Sequence, residues 1–146
     1  MATIPASPVI LVPVDGSPSA DHAAAYTANR VHRDRGTRVF VINVQPSIET
    51  WQTHGLGQED AIAHRSDIGG RHAARALKVF DDDNIPYEFS VEFGEPAETI
   101  VRAAKDKGCT NIVMGTRGLG EIASLVLGSV AMKVVHLTDL PVTLVK

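Results

Sequence analysis

The residues best suited to chemistry lie between positions 114 and 130. They read Met114-Gly115-Thr116-Arg117-Gly118-Leu119-Gly120-Glu121 and continue to Leu127-Gly128-Ser129-Val130. The run before them, Asn111-Ile112-Val113-Met114, reads as a short buried strand. A glycine at a strand end lets the backbone turn sharply and come close to a ligand. Gly128-Ser129 stands where a helix begins. Main-chain N–H groups at a helix start, together with the positive end of its dipole, attract phosphate oxygens. The Ser129 hydroxyl can add one hydrogen bond, and Arg117 a positive charge. The plain alternatives are glycines that serve only the turn and a serine that only caps its helix. A second Gly-Ser at a helix start, after a buried strand, favours a phosphate cradle over residues 115–130.

Such a cradle needs a scaffold. Val9-Ile10-Leu11-Val12-Pro13-Val14 and Arg38-Val39-Phe40-Val41-Ile42-Asn43-Val44 are nearly continuous apolar runs, as in strands buried on both faces of a parallel sheet. Pro13 suits a strand end better than a strand centre. Ser17 can cap a helix and Pro18 suits its first turn, with Ala20, Ala23, Ala24, Thr27, Ala28 and Val31 on one face and Gly36 as the stop. Residues 45–57 read as a loop. A helix is predicted from about Gln58 to Asp82, with Ile62, Ala73, Ala76, Leu77 and Phe80 inward and a kink or break at Gly69-Gly70. Tyr87 to Phe93 alternates strictly, the pattern of a half-exposed edge strand. Gly94-Glu95-Pro96 opens a helix that Gly108 ends. A last helix spans about Ser129 to Leu137, and Leu140 to Val145 is the closing strand.

Strands alternating with helices predict one α/β domain over residues 1–146, an open five-stranded parallel sheet with helices on both faces. With the alternating third strand at an edge, the simplest order is 3-2-1-4-5. In open α/β sheets ligands bind beyond the carboxyl ends of the strands, where the order reverses. Pro13-Val14-Asp15 and Met114-Gly115 would then face each other across one crevice. Asp15 can accept hydrogen bonds from ribose hydroxyls or help hold Mg²⁺, or it simply forms the turn before Gly16. Val44, nearby, either lines an adenine slot or is a core valine.

Bulk properties narrow the class. The chain has 146 residues, 44% hydrophobic and 21% charged, which is ordinary for a globular domain. Fourteen basic against 17 acidic residues give a net charge of −3, with no basic footprint for nucleic acid. No apolar run approaches the ~20 residues that span a bilayer, and Met1 to Pro8 lacks the basic start of a signal peptide. One cysteine, Cys109, cannot form an internal disulfide and reads as a small residue at a strand entrance. A cytoplasmic location is the expectation. None of the six histidines has zinc or HExxH spacing. There is no GxxxxGK[ST] and no GxSxG elbow.

With these residues in view, the whole chain resembles the universal stress protein family. The resemblance is carried by Ile10-Leu11-Val12-Pro13-Val14-Asp15-Gly16-Ser17, by Ile42-Asn43-Val44, by Gly94-Glu95-Pro96-Ala97 and by Ile112 to Gly118. Its most specific element is the signature G-x2-G-x9-G-[ST], present as Gly115, Gly118, Gly128 and Ser129. The resemblance implies an adenine nucleotide alpha hydrolase-like fold with the 3-2-1-4-5 order, and ATP with magnesium as ligand. It implies an adenine pocket of Pro13, Val44 and Met114, and ribose and phosphate contacts from Asp15, Gly115, Gly118, Gly128, Ser129 and Val130. Val14, Thr116 and Arg117 join the candidate set as their immediate neighbours, with Asp15 as metal ligand. A homodimer through Leu140 to Lys146 is also implied, as is a role in stress response or signalling. Three features depart from the family pattern: Asn43 where a histidine is common, Ala131 where a hydroxyl residue is common, and the loop 45–57 with Trp51. The competing functions are a slow ATP hydrolase using Asp15, a dimerisation module without nucleotide, and a flavin-binding relative.

Overall fold

In the computed structural model, residues 7–49, 57–118 and 127–146 are described. Among the described residues, nine elements alternate: β1 (Val9–Pro13), α1 (Pro18–Arg33), β2 (Arg38–Gln45), α2 (Gln58–Asp82), β3 (Glu88–Phe93), α3 (Pro96–Asp106), β4 (Asn111–Gly115), α4 (Ser129–Leu137) and β5 (Val142–Val145). The strands form one parallel sheet in the order β3-β2-β1-β4-β5. The expected order is therefore the observed one, and its reversal lies between β1 and β4.

Two cores follow from strand alternation. Ile10 and Val12 face α1 and α2, where they meet Ala23, Ala24, Ala73 and Phe80. Leu11 and Ile42 face α3 and α4, where they meet Ile100 and Val134, with Met114 of β4 on the same face. Four of the six buried residues of α1 are alanine, small enough for its backbone to lie close to the sheet. Ser17 caps it by accepting the Ala20 N–H at 3.3 Å, and Pro18 occupies the first turn. At the β3 edge, Phe89 packs on the α2 side while Glu88 is exposed.

Two local expectations do not hold. The 58–82 helix does not break at Gly69-Gly70; α2 is continuous over 25 residues. Gly69 is buried where α2 crosses β2 and β3, and a Cβ there would lie 2.8 Å from both Asn43 Oδ1 and Val91 Cγ2. The glycine permits close approach rather than ending the helix. Ile62 is exposed, not inward. The buried residues of α2 are Ala61, Gly69, Ala73, Ala76 and Phe80; Ile62 is in phase with Phe80, yet in the first turns of the helix it is not covered. Trp51 and Leu119-Gly120-Glu121 lie outside the described residues.

Candidate functional site

Proline chemistry opens the crevice. Pairing of β1 with β4 covers only Ile10↔Asn111 and Leu11↔Ile112. Pro13, the next β1 residue on that side, has no N–H to extend the ladder. Beyond it the two strands enclose a cleft of about 170 Å³. The sheet contributes Pro13, Val14, Val44 and Met114, and α3 contributes Pro96 and Ile100. The chain between β4 and α4 contributes Gly115, Thr116, Arg117, Gly118 and Gly128, and α4 itself Val130 and Ala131. Asp15 and Ser17 complete the lining beside the β1–α1 turn.

Every candidate residue read from the sequence lines this cleft except Ser129, which is exposed. Sequence reading missed Ser17, Ala20, Pro96, Ile100 and Ala131. Ile100 and Pro96 were legible as helix residues, but their place over the crevice depends on how α3 packs.

Each glycine has its own reason. A Cβ at Gly115 would strike Ser19 Oγ and lie 2.8 Å from the Ala20 nitrogen, so this glycine lets β4 abut the first turn of α1. A Cβ at Gly118 would lie 2.7 Å from Asp15 Oδ2. The segment is pinned from α1, since Ser19 Oγ donates to the Arg117 carbonyl at 2.6 Å. Asp15 Oδ1 accepts the Ser17 N–H at 2.9 Å, so one carboxylate oxygen shapes the turn and the other faces Gly118.

The start of α4 is only partly as expected. The Gly128 N–H is already spent, donating to the Thr116 carbonyl at 2.6 Å. As N-cap, Gly128 supplies no side-chain cap, and the first helical bond is Met132 N–H to Gly128 carbonyl. The amides of Val130 and Ala131, which line the cleft, therefore have no intrahelical acceptor. Thr116 lines the same cleft, and its hydroxyl is buried without a hydrogen-bond partner among the described residues. Buried polar atoms are nearly always satisfied, so this one marks a place for a ligand atom or water.

On the other side of β1, the last ladder bond runs from Val14 N–H to the Ile42 carbonyl at 2.8 Å. In a parallel ladder the peptide groups of alternate residues face the same neighbour. Ile42 faces β1 and Gln45, which accepts the Gly94 N–H, faces away from it. Val44 therefore turns its N–H and C=O toward the space beyond the end of β1, which is the cleft. Among the described residues no group of three or more His, Cys, Asp or Glu is placed to hold a metal alone, and Asp15 is the carboxylate in the lining. Cys109 is buried at the entrance to β4, and burial pushes its thiol up to about 11, against a smaller opposing pull from Lys107 and Arg38.

The model of the universal stress protein family matches residues 8–146. The chain belongs to this family. A universal stress protein of Thermus aquaticus is 36% identical over 141 residues, covering 94% of this chain and 97% of the relative. A universal stress protein solved in complex with cAMP superposes with a TM-score of 0.71 at 20% identity, over 97% of this chain and 98% of the other. The Archaeoglobus fulgidus universal stress protein in complex with dAMP gives 0.68 at 22% identity, over 96% and 98%. At these identities the structural likeness shows the fold.

Proposed function

We propose that the cleft binds an adenine nucleotide, in the cell ATP with magnesium, and that occupancy is the signal a stress-response module passes on. The observation that carries this reading is that two surfaces of one cleft hold polar groups with no partner among the described residues: the peptide edge of Val44, and Thr116 with the Val130 and Ala131 amides. Val44 offers an adjacent N–H donor and C=O acceptor, the complement of adenine N1 and the N6 amino group. Guanine presents a donor and an acceptor in the opposite places. Farther along the cleft, the uncapped first turn of α4 and the buried Thr116 hydroxyl suit phosphate oxygens. Pro13, Met114 and Ile100 supply apolar contact for the ring. The cAMP and dAMP complexes of family members support the adenine part of the reading.

Magnesium keeps most of its ligands from phosphate and water and needs only one or two carboxylates. Asp15 fits that modest role, as the residue that would hold the ion against the phosphates. No other carboxylate and no histidine lines the described cleft to take a proton from water, which favours binding and signalling over hydrolysis. A homodimer through Leu140–Lys146 belongs to the same reading. β5 is a sheet edge, and Met132 and Val135 of the adjacent α4 are exposed apolar residues. So does a cytoplasmic setting.

The test is thermal unfolding with nucleotides. A ligand at one hundred times its dissociation constant adds about 2.7 kcal/mol to the folded state. ATP–Mg²⁺ is expected to raise Tm, GTP–Mg²⁺ much less, and Gly118→Val to abolish the effect by pushing on Asp15. An unchanged melting curve at millimolar ATP sinks the proposal.

A further inference from the structure

β1 stops one bond before its geometry requires. Val14 N–H donates to Ile42, so the next ladder bond would run from Val44 N–H to the Val14 carbonyl. That bond is not made. The Val14 carbonyl instead accepts the side-chain amide of Asn43, Nδ2, at 2.8 Å. Asn43 is 1% exposed, on the α2 side of the sheet. Its amide is oriented from behind: Gln45 Nε2 donates to Asn43 Oδ1 at 2.7 Å, and Arg65 of α2 donates to Gln45 Oε1 at 3.3 Å. The acceptor end of Asn43 is thus fixed toward Gln45, which leaves the donor end for Val14. Gly69 makes room for it, because a Cβ there would overlap Asn43 Oδ1.

We propose that Asn43 is a positioning residue for base recognition: by capturing the Val14 carbonyl it ends the β1–β2 ladder early and keeps the peptide edge of Val44 open for an adenine ring. A buried polar chain of this kind otherwise has no reason to sit between α2 and an apolar strand, since burying such groups costs free energy that apolar side chains avoid. Without the Asn43 donor, the cheapest partner for the Val14 carbonyl is the Val44 N–H. One more ladder bond would then close the edge that reads the base. The inference rests on the adenine reading above for its ligand, but its structural half is independent of any ligand.

The experiment uses the full chain, wild type and Asn43→Val, with AMP and inorganic tripolyphosphate as separate probes in calorimetry. AMP affinity is expected to fall about 10-fold in Asn43→Val, the value of one neutral hydrogen bond, while tripolyphosphate affinity stays within about twofold. Asn43→His, which keeps a ring N–H donor, is expected to restore AMP binding. An equal loss for both probes overturns the proposal, because a merely structural role would weaken both. In the wild type, NMR measures the hydrogen-bond coupling from Asn43 Nδ2 to the Val14 carbonyl and the exchange of the Val44 amide. Coupling present and fast Val44 exchange, slowed by AMP, support the inference. A protected Val44 amide in the ligand-free protein overturns it, even if Asn43→Val does not fold. Should the wild type bind no nucleotide, the adenine reading fails and with it the base-recognition role. Fast Val44 exchange in that protein would then support only the early end of the ladder.

Discussion

Gly69 and Gly70 are neighbours in one helix, and replacing each by alanine is expected to change stability in opposite directions. Intrinsic propensity treats them alike: alanine in a helix interior is favoured over glycine by about 1 kcal/mol. At Gly70 a Cβ would meet nothing within 4 Å, so Gly70→Ala keeps that gain. At Gly69 the same atom would sit 2.8 Å from Asn43 Oδ1 and 2.8 and 2.9 Å from the two Val91 methyl carbons. None of these can yield cheaply, since Val91 is in the sheet and Asn43 is held by Val14 and Gln45. Overpacking of this kind costs about 1–3 kcal/mol, enough to offset the propensity gain and reverse its sign. The two variants should therefore differ by about 2 kcal/mol. In a chain of this size that separates their melting temperatures by roughly 6 °C. Thermal and urea unfolding followed by circular dichroism reads the difference directly. If Gly69→Ala proves as stabilising as Gly70→Ala, the close crossing of α2 over β2 and β3 is not what selects glycine there.

Thr116→Val removes a buried hydroxyl that has no partner among the described residues. It is expected to raise ligand-free stability by about 1 kcal/mol while shrinking the ATP-dependent rise in Tm; a destabilised variant that keeps the full rise contradicts this. The Glu95 carboxylate is held below its ordinary 4.5 chiefly by the Glu98 N–H it accepts at the start of α3, against burial and with help from Lys133. A folded-state value below the unfolded one means this stability is present above pH 4.5 and is lost as pH falls through the folded value. The stability gap between wild type and Glu95→Gln should narrow between pH 7 and pH 3 in urea titrations, and a constant gap refutes the assignment. With its thiol pushed up by burial, Cys109 should label with iodoacetamide at pH 8 only after unfolding. Rapid labelling of the native protein would show that it is accessible.

Much of this was legible in the chain. The uninterrupted apolar runs of β1 and β2 reveal strands covered on both faces, and the alternation from Tyr87 to Phe93 reveals an edge. With those two patterns the simplest order places the reversal between β1 and β4, the order that the family resemblance implies and the structure shows. What misled was local. Gly69 reads as a helix breaker because propensity counts only the cost of its missing side chain, whereas its packing partners, Asn43 and Val91, are far off in sequence. Ile62 falls at a periodic apolar position in phase with Phe80, yet it is exposed, because burial depends on what lies opposite each turn and not on period alone.

Composition and spacing by themselves determined the alternating elements, the glycine-spaced segment after β4 and the stop at Pro13, because each depends on side-chain pattern or on one residue's missing donor. Tertiary structure alone decided which polar groups are spent and which stay open. The Gly128 amide goes to Thr116, the Val14 carbonyl goes to Asn43, the peptide edge of Val44 is left facing the cleft, and the Thr116 hydroxyl has no partner among the described residues. Hydrogen bonds between groups distant in sequence leave no periodic trace in it, so only the folded chain settles them.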